Sequence, residues 1–406
     1  MAHHIPVLVN TPAHAGIGPL LTYTAAEPLL PGSLVRVPLG SRETLGVVWN
    51  ALRADGEAHA DPQTPGVPAM RPVTGLLEGL APLRPAWCQL VAFAAQYYQR
   101  SMGEVALAAL PPQLRDLSFA QLARRLDAKA KPSGAELAQS GPPTRQDAPA
   151  LTPEQSAVLA RIQTASGPFL LFGATGSGKT EVYLQAAMRV LAEHADAQVL
   201  VMVPEINLTP QLEARFRARF EPQYGASSVV SMHSGMTNPQ RLRSWLAAHQ
   251  GPARIVLGTR MAVFASMPRL RLIVVDEEHD PSYKSSEGAR YSARDLALYR
   301  GRLDGAKVIL GSATPSLETW YHSRDAAQGG RYERLLMPSR VGQGAMALPL
   351  LRRVDMTHQP KGAVFSPPLL DAMRQRISRG EQCLVFINRR GYAPVLRCDA
   401  FSSLAM

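Results

Sequence analysis

Short, unbroken apolar runs dominate the chain from Leu151 onward. Pro168–Phe172, Gln198–Val203, Ser228–Met232, Arg254–Leu257, Leu270–Val275 and Lys307–Leu310 each span four to six residues. Runs of this length without polar alternation are expected of strands buried on both faces. Stretches with helical character separate most of them, among them Glu181–Ala192, Pro210–Phe220 and Pro239–Ala248. Buried strands alternating with helices predict a parallel α/β sheet covered on both sides. A further strand, Gln382–Ile387, is expected after a helix at Pro367–Ser378.

Residues 5–110 are patterned differently. Short β-type runs at Ile5–Val9, Ser33–Pro38 and Thr44–Trp49 are punctuated by Pro and Gly, and a helix is expected at Trp87–Gln99. From Asp127 to Ala150 the composition collapses to Ala, Pro, Ser, Gly and Gln with scattered charge, as in a linker or loop. The expected division is a small β-rich domain (1–110), a connecting region (111–150), an α/β lobe (151–340) and the start of another lobe (341–406).

Composition narrows the setting. The chain has 406 residues, enough for two or three cores, and no apolar run approaches the ~18 residues of a membrane span. No secretory signal opens it, and the three cysteines, Cys88, Cys383 and Cys398, are too few for a disulfide framework. A reducing cytoplasmic setting follows. The formal net charge of +11 suits a polyanionic partner such as nucleic acid, although a solubilising charge reads the same way.

The chemistry concentrates behind the first strand of the lobe. Gly173-Ala174-Thr175-Gly176-Ser177-Gly178-Lys179-Thr180 has the full Walker A spacing between a strand and a helix. Its glycines let backbone N–H groups converge on phosphate oxygens at a helix N-terminus. Lys179 is expected at the β/γ-phosphates of ATP, and Thr180 on Mg²⁺. Asp276-Glu277-Glu278-His279 ends the apolar strand Leu270–Val275, at the strand edge where such sheets bind ligands. Asp276 is the expected Mg²⁺ partner and Glu277 the base that orients the attacking water. Upstream, Thr152, Pro153 and Gln155 form a capping box. Gln155 also sits where a glutamine could read adenine, and both readings stay open. Aromatics interleaved with cations run from Ser282-Tyr283-Lys284 to Arg290-Tyr291-Ser292-Ala293-Arg294. Such a segment can stack bases and neutralise phosphates, or its tyrosines can cover a core edge.

Together these motifs resemble a DExH-type helicase, and finer signatures narrow the resemblance. Val203–Gln211, Gly258–Phe264, Asp276–Asp280, Gly311–Ser316 and Phe386–Pro394 resemble the primosomal protein N′ family of bacterial replication-restart helicases. The resemblance implies a RecA-like P-loop motor lobe of superfamily 2 and an ATP-driven 3′→5′ DNA helicase. The expected DNA partners are forks and single strands; the expected protein partners are primosome and replication-restart proteins and single-stranded DNA-binding protein. It implies a nucleoid-associated location and no membrane partner. It also implies that residues 1–110 bind a DNA 3′ end, with Gly40 and Arg71 lining the pocket; an acidic residue is usual at the position of Thr22. A winged-helix domain would follow, and residues 111–150 are short for one. The segment from Tyr283 and Lys284 to Arg290, Tyr291 and Arg294 would sense single-stranded DNA. Ser312 and Thr314 would join that segment to the ATP site. Ala289 stands where the family commonly has an aromatic.

The family carries zinc in its second lobe. Cys398 matches the first zinc ligand, but the second would fall on Phe401, so the site is incomplete in this sequence. From Phe401 the resemblance stops, and the second lobe is expected to be truncated. The alternative to an active helicase is a catalytically silent fork-DNA-binding module or primosome scaffold. A double-stranded DNA translocase shares the ATP motifs but lacks the Pro204–Gln211 and Arg389–Pro394 signatures.

Overall fold

The computed structural model describes residues 2–11, 18–50, 70–117, 121–124, 150–204, 209–342, 350–358, 364–386, 396–398 and 403–405. Residues 1–342 form one compact unit and 343–406 a second. In the first unit, an antiparallel sheet orders as β2-β1-β4-β3-β5, with β1 His3–Leu8, β2 Leu20–Ala25, β3 Leu34–Leu39, β4 Arg42–Val48 and β5 Gly75–Leu76. The three strands read from the sequence are β1, β3 and β4. Gly40 opens the two-residue β3–β4 turn with φ +64, a region that glycine enters without steric cost. Helix α1 (Pro85–Tyr97) follows the sheet, and α2 (Met102–Ala108) and α3 (Gln113–Asp116) pack against its strand β4. Leu114 and Leu122 are buried, so packed structure continues past residue 110.

The lobe is a seven-stranded parallel sheet in the order β12-β6-β11-β10-β7-β9-β8. Its strands are β6 Phe169–Gly173, β7 Gln198–Met202, β8 Val229–Met232, β9 Ile255–Gly258, β10 Leu270–Val275, β11 Lys307–Ser312 and β12 Glu333–Met337. Six coincide with the apolar runs of the sequence. β7 and β9 are buried at every position, as strands covered on both faces must be. The helices begin at sequence-encoded caps. Thr152 and Gln155 bond reciprocally at the start of α4 (Pro153–Thr164), with Pro153 at its first position. Thr209 caps α6 (Pro210–Tyr224), and the backbone N–H of Thr237 donates to Gln240 before α7 (Asn238–Gln250). Caps of this kind each contribute about 1 kcal/mol.

The N-terminal domain and the lobe share one apolar core. Phe93 of α1 stacks on Tyr299 of α8 (Ala293–Asp304), ring centroids 3.9 Å apart. Trp87 Nε1 donates to Phe264 O (2.8 Å), and Arg84 donates to Pro268 O. His249, on α7, bridges the seam. Its Nε2 lies 2.9 Å from Ala81 O and its Nδ1 2.8 Å from Ser266 Oγ. The carbonyl can only accept, so Nε2 carries the proton and Nδ1 accepts from the serine hydroxyl. Burial holds the imidazole pKa below its ordinary value. The unfolded chain therefore binds the proton first. Stability is fully present above the unfolded pKa of about 6.5 and is lost as pH falls from there toward the folded value. We expect unfolding free energies from urea titrations to drop between pH 7 and 5, by up to about 1.4 kcal/mol per pH unit for one proton. The drop should be smaller in His249→Asn; equal pH slopes in the two proteins would remove His249 as the cause.

In the second unit, a helix spans Pro367–Ser378 as the sequence predicts, capped by Ser366. A two-stranded antiparallel pair joins β13 (Leu396–Cys398) to β14 (Ser403–Ala405). The strand expected at Gln382–Ile387 is corrected: residues 382–386 make no strand, and Ile387 lies outside the described residues. Leu384 is 98% exposed, and residues 382–386 pair with no strand among the described residues. No described helix is long and apolar enough to cross a membrane.

Candidate functional site

The parallel sheet delivers its chemistry at one edge, because β6, β10 and β11 all end there. Leu310 pairs with Val275 and with Leu170, which places β11 between the P-loop strand and the acidic-motif strand. Gly173 closes β6, residues 174–178 form the loop, and Lys179 and Thr180 open α5 (Lys179–Glu193). Gly176 and Gly178 both hold φ +83. A Cβ on Gly178 would sit 2.4 Å from Gln155 Nε2, so this turn needs glycine on two counts. The first N–H groups of α5 have no intrahelical acceptor, which leaves them for an anion.

The loop bears the marks of a phosphate cradle. Ser177 is 1% exposed, and its Oγ has no hydrogen-bond partner among the described residues. Lys179 is buried and folds its Nζ onto Gly173 O at 3.0 Å. Ala174 N–H donates to Met337 O, while Thr175 is exposed at the tip. A buried orphan hydroxyl, a cation and open helix N–H groups together fit a polyphosphate. Thr180, at the helix start beside Lys179, fits a divalent cation held against those phosphates.

Gln155 is committed at both ends of its amide. Its Oε1 accepts from Thr152 N–H (2.9 Å), and its Nε2 donates to Gly178 O (3.3 Å). The capping box is therefore present, and the same side chain braces the P-loop. Contact with a base would require release of one of these bonds.

Asp276 lies partly buried beside the P-loop. Burial raises its pKa; the Tyr183 hydroxyl and the Lys179 charge oppose that rise. Tyr183 Oη donates to Asp276 Oδ1 at 2.9 Å. Glu277 holds φ +44, a rare conformation for a residue with a side chain and one that clusters at functional sites. Flanking backbone bonds, Asp276 N–H to Met202 O (2.9 Å) and Glu278 N–H to Gly311 O (3.0 Å), hold it there. The Glu277 pKa is raised, first by burial and then by the neighbouring Asp276 charge.

Glu278 and His279 turn toward α9 (Leu317–His322) and the strand after the motif. Glu278 is 1% exposed and accepts from Ser316 N–H (2.7 Å), Thr319 Oγ1 (2.9 Å) and Arg294 Nη1 (3.3 Å). His279 Nδ1 lies 2.8 Å from Ser312 Oγ, and its Nε2 3.3 Å from Thr314 Oγ1. The structure thus brings Ser312 and Thr314 onto the acidic motif, and Arg294 with them.

Of the two readings left open for the tyrosines of the following segment, their placement fits a core edge. Tyr283 is 2% exposed, and its hydroxyl donates to Asp276 O at 2.6 Å. Tyr291 packs edge-on against Phe264 with burial pushing its pKa to about 12. Neither ring is placed to stack on a base, because both fill the core edge beneath the loop. The cations Lys284 and Arg290 are exposed, as are Ser286 and the acidic Glu287 between them. Lys284 Nζ sits 5.1 Å above the Tyr98 ring of the N-terminal domain, and Tyr98 Oη accepts from Ser292 N–H (3.0 Å).

At the other end of the unit, Arg71 Nη1 donates to Gly40 O at 2.7 Å, which joins the two residues expected to line a DNA-end pocket. Thr24 N–H donates to Arg71 O and holds the strand segment in place. Cys398 lies in β13, and no cluster of three metal-ligating side chains occurs among the described residues. All of the Arg389–Pro394 signature and residues 205–208 lie outside them.

Sequence reasoning missed Tyr183, the buried role of Glu278 and a strap after β12. In that strap Val341 N–H donates to Gly176 O (3.0 Å) and Ser339 N–H to Glu154 Oε2 (3.3 Å). Only Tyr183 left a readable signal: four residues after Lys179, it shares that residue's face of the helix.

A P-loop α/β lobe joined to a β-rich N-terminal domain defines the class, and the comparisons agree. Residues 152–321 match the DEAD/DEAH box helicase family, and residues 6–111 match the 3′ DNA-binding domain. The replication restart protein PriA of Rickettsia felis is 32% identical over 373 residues, 91% of this chain and 51% of that protein. PriA of Haemophilus influenzae is 41% identical over 250 residues, 61% of this chain and 32% of that protein. PriA of Bacillus subtilis is 40% identical over 256 residues, 61% and 30% respectively. The chain belongs to the replication restart protein PriA family. It spans about a third to a half of the length of these relatives.

Proposed function

We propose that the chain binds and hydrolyses ATP at the β6–β10–β11 edge and uses the cycle to act on forked and single-stranded DNA. On this reading it is the ATP-binding part of a 3′→5′ replication-restart helicase. The observation that carries the reading is the convergence of Lys179, Asp276, Glu277 and the His279–Ser312–Thr314 cluster on one sheet edge. The N–H groups of Gly173–Thr180 and Lys179 bind the phosphates. Thr180 and Asp276 would hold Mg²⁺, which when bound would neutralise phosphate charge. Glu277 orients the water. Lys284 and Arg290 meet DNA phosphates, while Tyr283, through Asp276 O, and Arg294, through Glu278, link that loop to the nucleotide. Primosome proteins and single-stranded DNA-binding protein are the proposed protein partners.

The Gly40–Arg71 pair supports a 3′-end pocket on the N-terminal domain. Anisotropy titrations with fork DNA are expected to show tighter binding to a free 3′ end than to a 3′-phosphate-blocked one. Arg71→Ala should weaken free-end binding about tenfold, the scale of a lost charge-assisted hydrogen bond, and erase the difference between the two substrates. If wild-type affinity is the same for both, the end-binding role is wrong. DNA binding without DNA-stimulated ATP turnover would instead favour a scaffold.

A further inference from the structure

Asp276 has a partner that its own motif does not supply. Tyr183 is 1% exposed on α5, and its hydroxyl reaches Asp276 Oδ1 at 2.9 Å across a sequence separation of 93 residues. A carboxylate can only accept, so the phenol donates. To reach β10 from α5 the hydroxyl passes over β11 at Gly311. A Cβ on Gly311 would lie 1.7 Å from Tyr183 Oη and 2.8 Å from Cζ. Two features of this contact are not packing requirements. The buried hydroxyl spends its one donor on Asp276, a bond that a phenylalanine filling the same space would not make. Glycine inside a strand weakens the strand and marks a place where another group must approach closely. Both features are accounted for if the hydroxyl itself has a function.

We infer that Tyr183 is a positioning residue that fixes the orientation of the Asp276 carboxylate for the divalent cation of the bound nucleotide. A free carboxylate rotates about χ2. With Oδ1 held by a fully packed phenol, Asp276 presents one geometry before the metal arrives. Partners of this kind commonly change metal affinity by about 10–100-fold. The arrangement also ties the P-loop helix, the acidic motif and the Gly311–Ser316 motif into one contact, since displacement of β11 at Gly311 would press on the phenol. The inference rests on the proposed ATP-site reading of Asp276.

The test measures metal binding apart from turnover. Mn²⁺ is titrated by electron paramagnetic resonance into the full chain with a non-hydrolysable ATP analogue, and analogue affinity is measured separately in EDTA. Tyr183→Phe, which keeps the ring, is expected to weaken Mn²⁺ binding about tenfold and leave metal-free nucleotide affinity and melting temperature unchanged. Asp276→Asn should weaken Mn²⁺ at least as far, and the double variant no further, because the two residues act as one unit. Equal Mn²⁺ affinity in wild type and Tyr183→Phe overturns the inference and leaves the ATP-site reading standing. Parallel loss of metal-free nucleotide binding in Tyr183→Phe makes the residue structural and also overturns it. If wild type binds no analogue, the ATP-site reading falls and the inference with it.

Discussion

Substituting glutamine for Glu277 is expected to cut DNA-stimulated ATP turnover by about 10²–10⁴-fold, the usual contribution of a positioned general base. Nucleotide affinity should be unchanged. Glu277 sits in a left-handed conformation that its neighbours' backbone bonds enforce, so glutamine keeps the shape and loses only the basicity. Burial and the adjacent Asp276 charge raise its pKa, which makes it a stronger base near neutral pH than an exposed glutamate. The sign sets the pH profile. As pH falls through the raised pKa the carboxylate is protonated, and turnover falls on the acid side; the glutamine variant should lack that limb. Steady-state rates between pH 5 and 8 at saturating single-stranded DNA, with nucleotide dissociation constants at each pH, decide it. A variant that loses affinity in proportion to rate would assign Glu277 to binding instead.

Lys179→Ala should lower ATP affinity by about 10²–10⁴-fold, which at ordinary concentrations is loss of binding. The estimate is two charge-assisted hydrogen bonds to phosphate at ~1.5–3 kcal/mol each. The lysine side chain now turns back on Gly173 O (3.0 Å), inside the loop that would wrap the phosphates. Releasing one neutral carbonyl contact for two anionic ones is a net gain that alanine cannot make. The fold should tolerate the change, because the strand–loop–helix geometry rests on Gly176, Gly178 and the Gln155 brace. Calorimetric titration of Mg·ATP, paired with thermal melting, separates lost binding from lost fold. Equal affinity in the two proteins would remove residues 173–180 as the nucleotide site.

The strands that sequence patterning located were those buried on both faces, since uniform apolarity is a local property. β12, Glu333–Met337, escaped because it is an edge strand: it carries Glu333 and Arg334 and exposes Leu336, so no clean period survives. The reverse error occurred at Gln382–Ile387, where an apolar run has no described partner strand. For the site, what the sequence left open is side-chain direction. Aromatics interleaved with cations look alike whether the rings face DNA or the core. Tyr283 and Tyr291 went inward, toward Asp276 and Phe264, and left Lys284 and Arg290 outside.

The sequence by itself determined the Walker A spacing, the acidic tetrad at a strand end, the Thr-Pro caps that start the helices and the glycines that permit the loop. Each depends on residues within a few positions of one another, where covalent geometry and local hydrogen bonding decide. Tertiary structure alone decided that Glu278 is buried among Arg294, Ser316 and Thr319, and that Gln155 braces Gly178 as well as capping its helix. It also decided that α1 of the first domain shares a core with α8 of the lobe. Those partners are set by which strands lie side by side and which helices cross them. With β11 seated between β6 and β10, one glycine in β11 gives a tyrosine from the P-loop helix its path to Asp276.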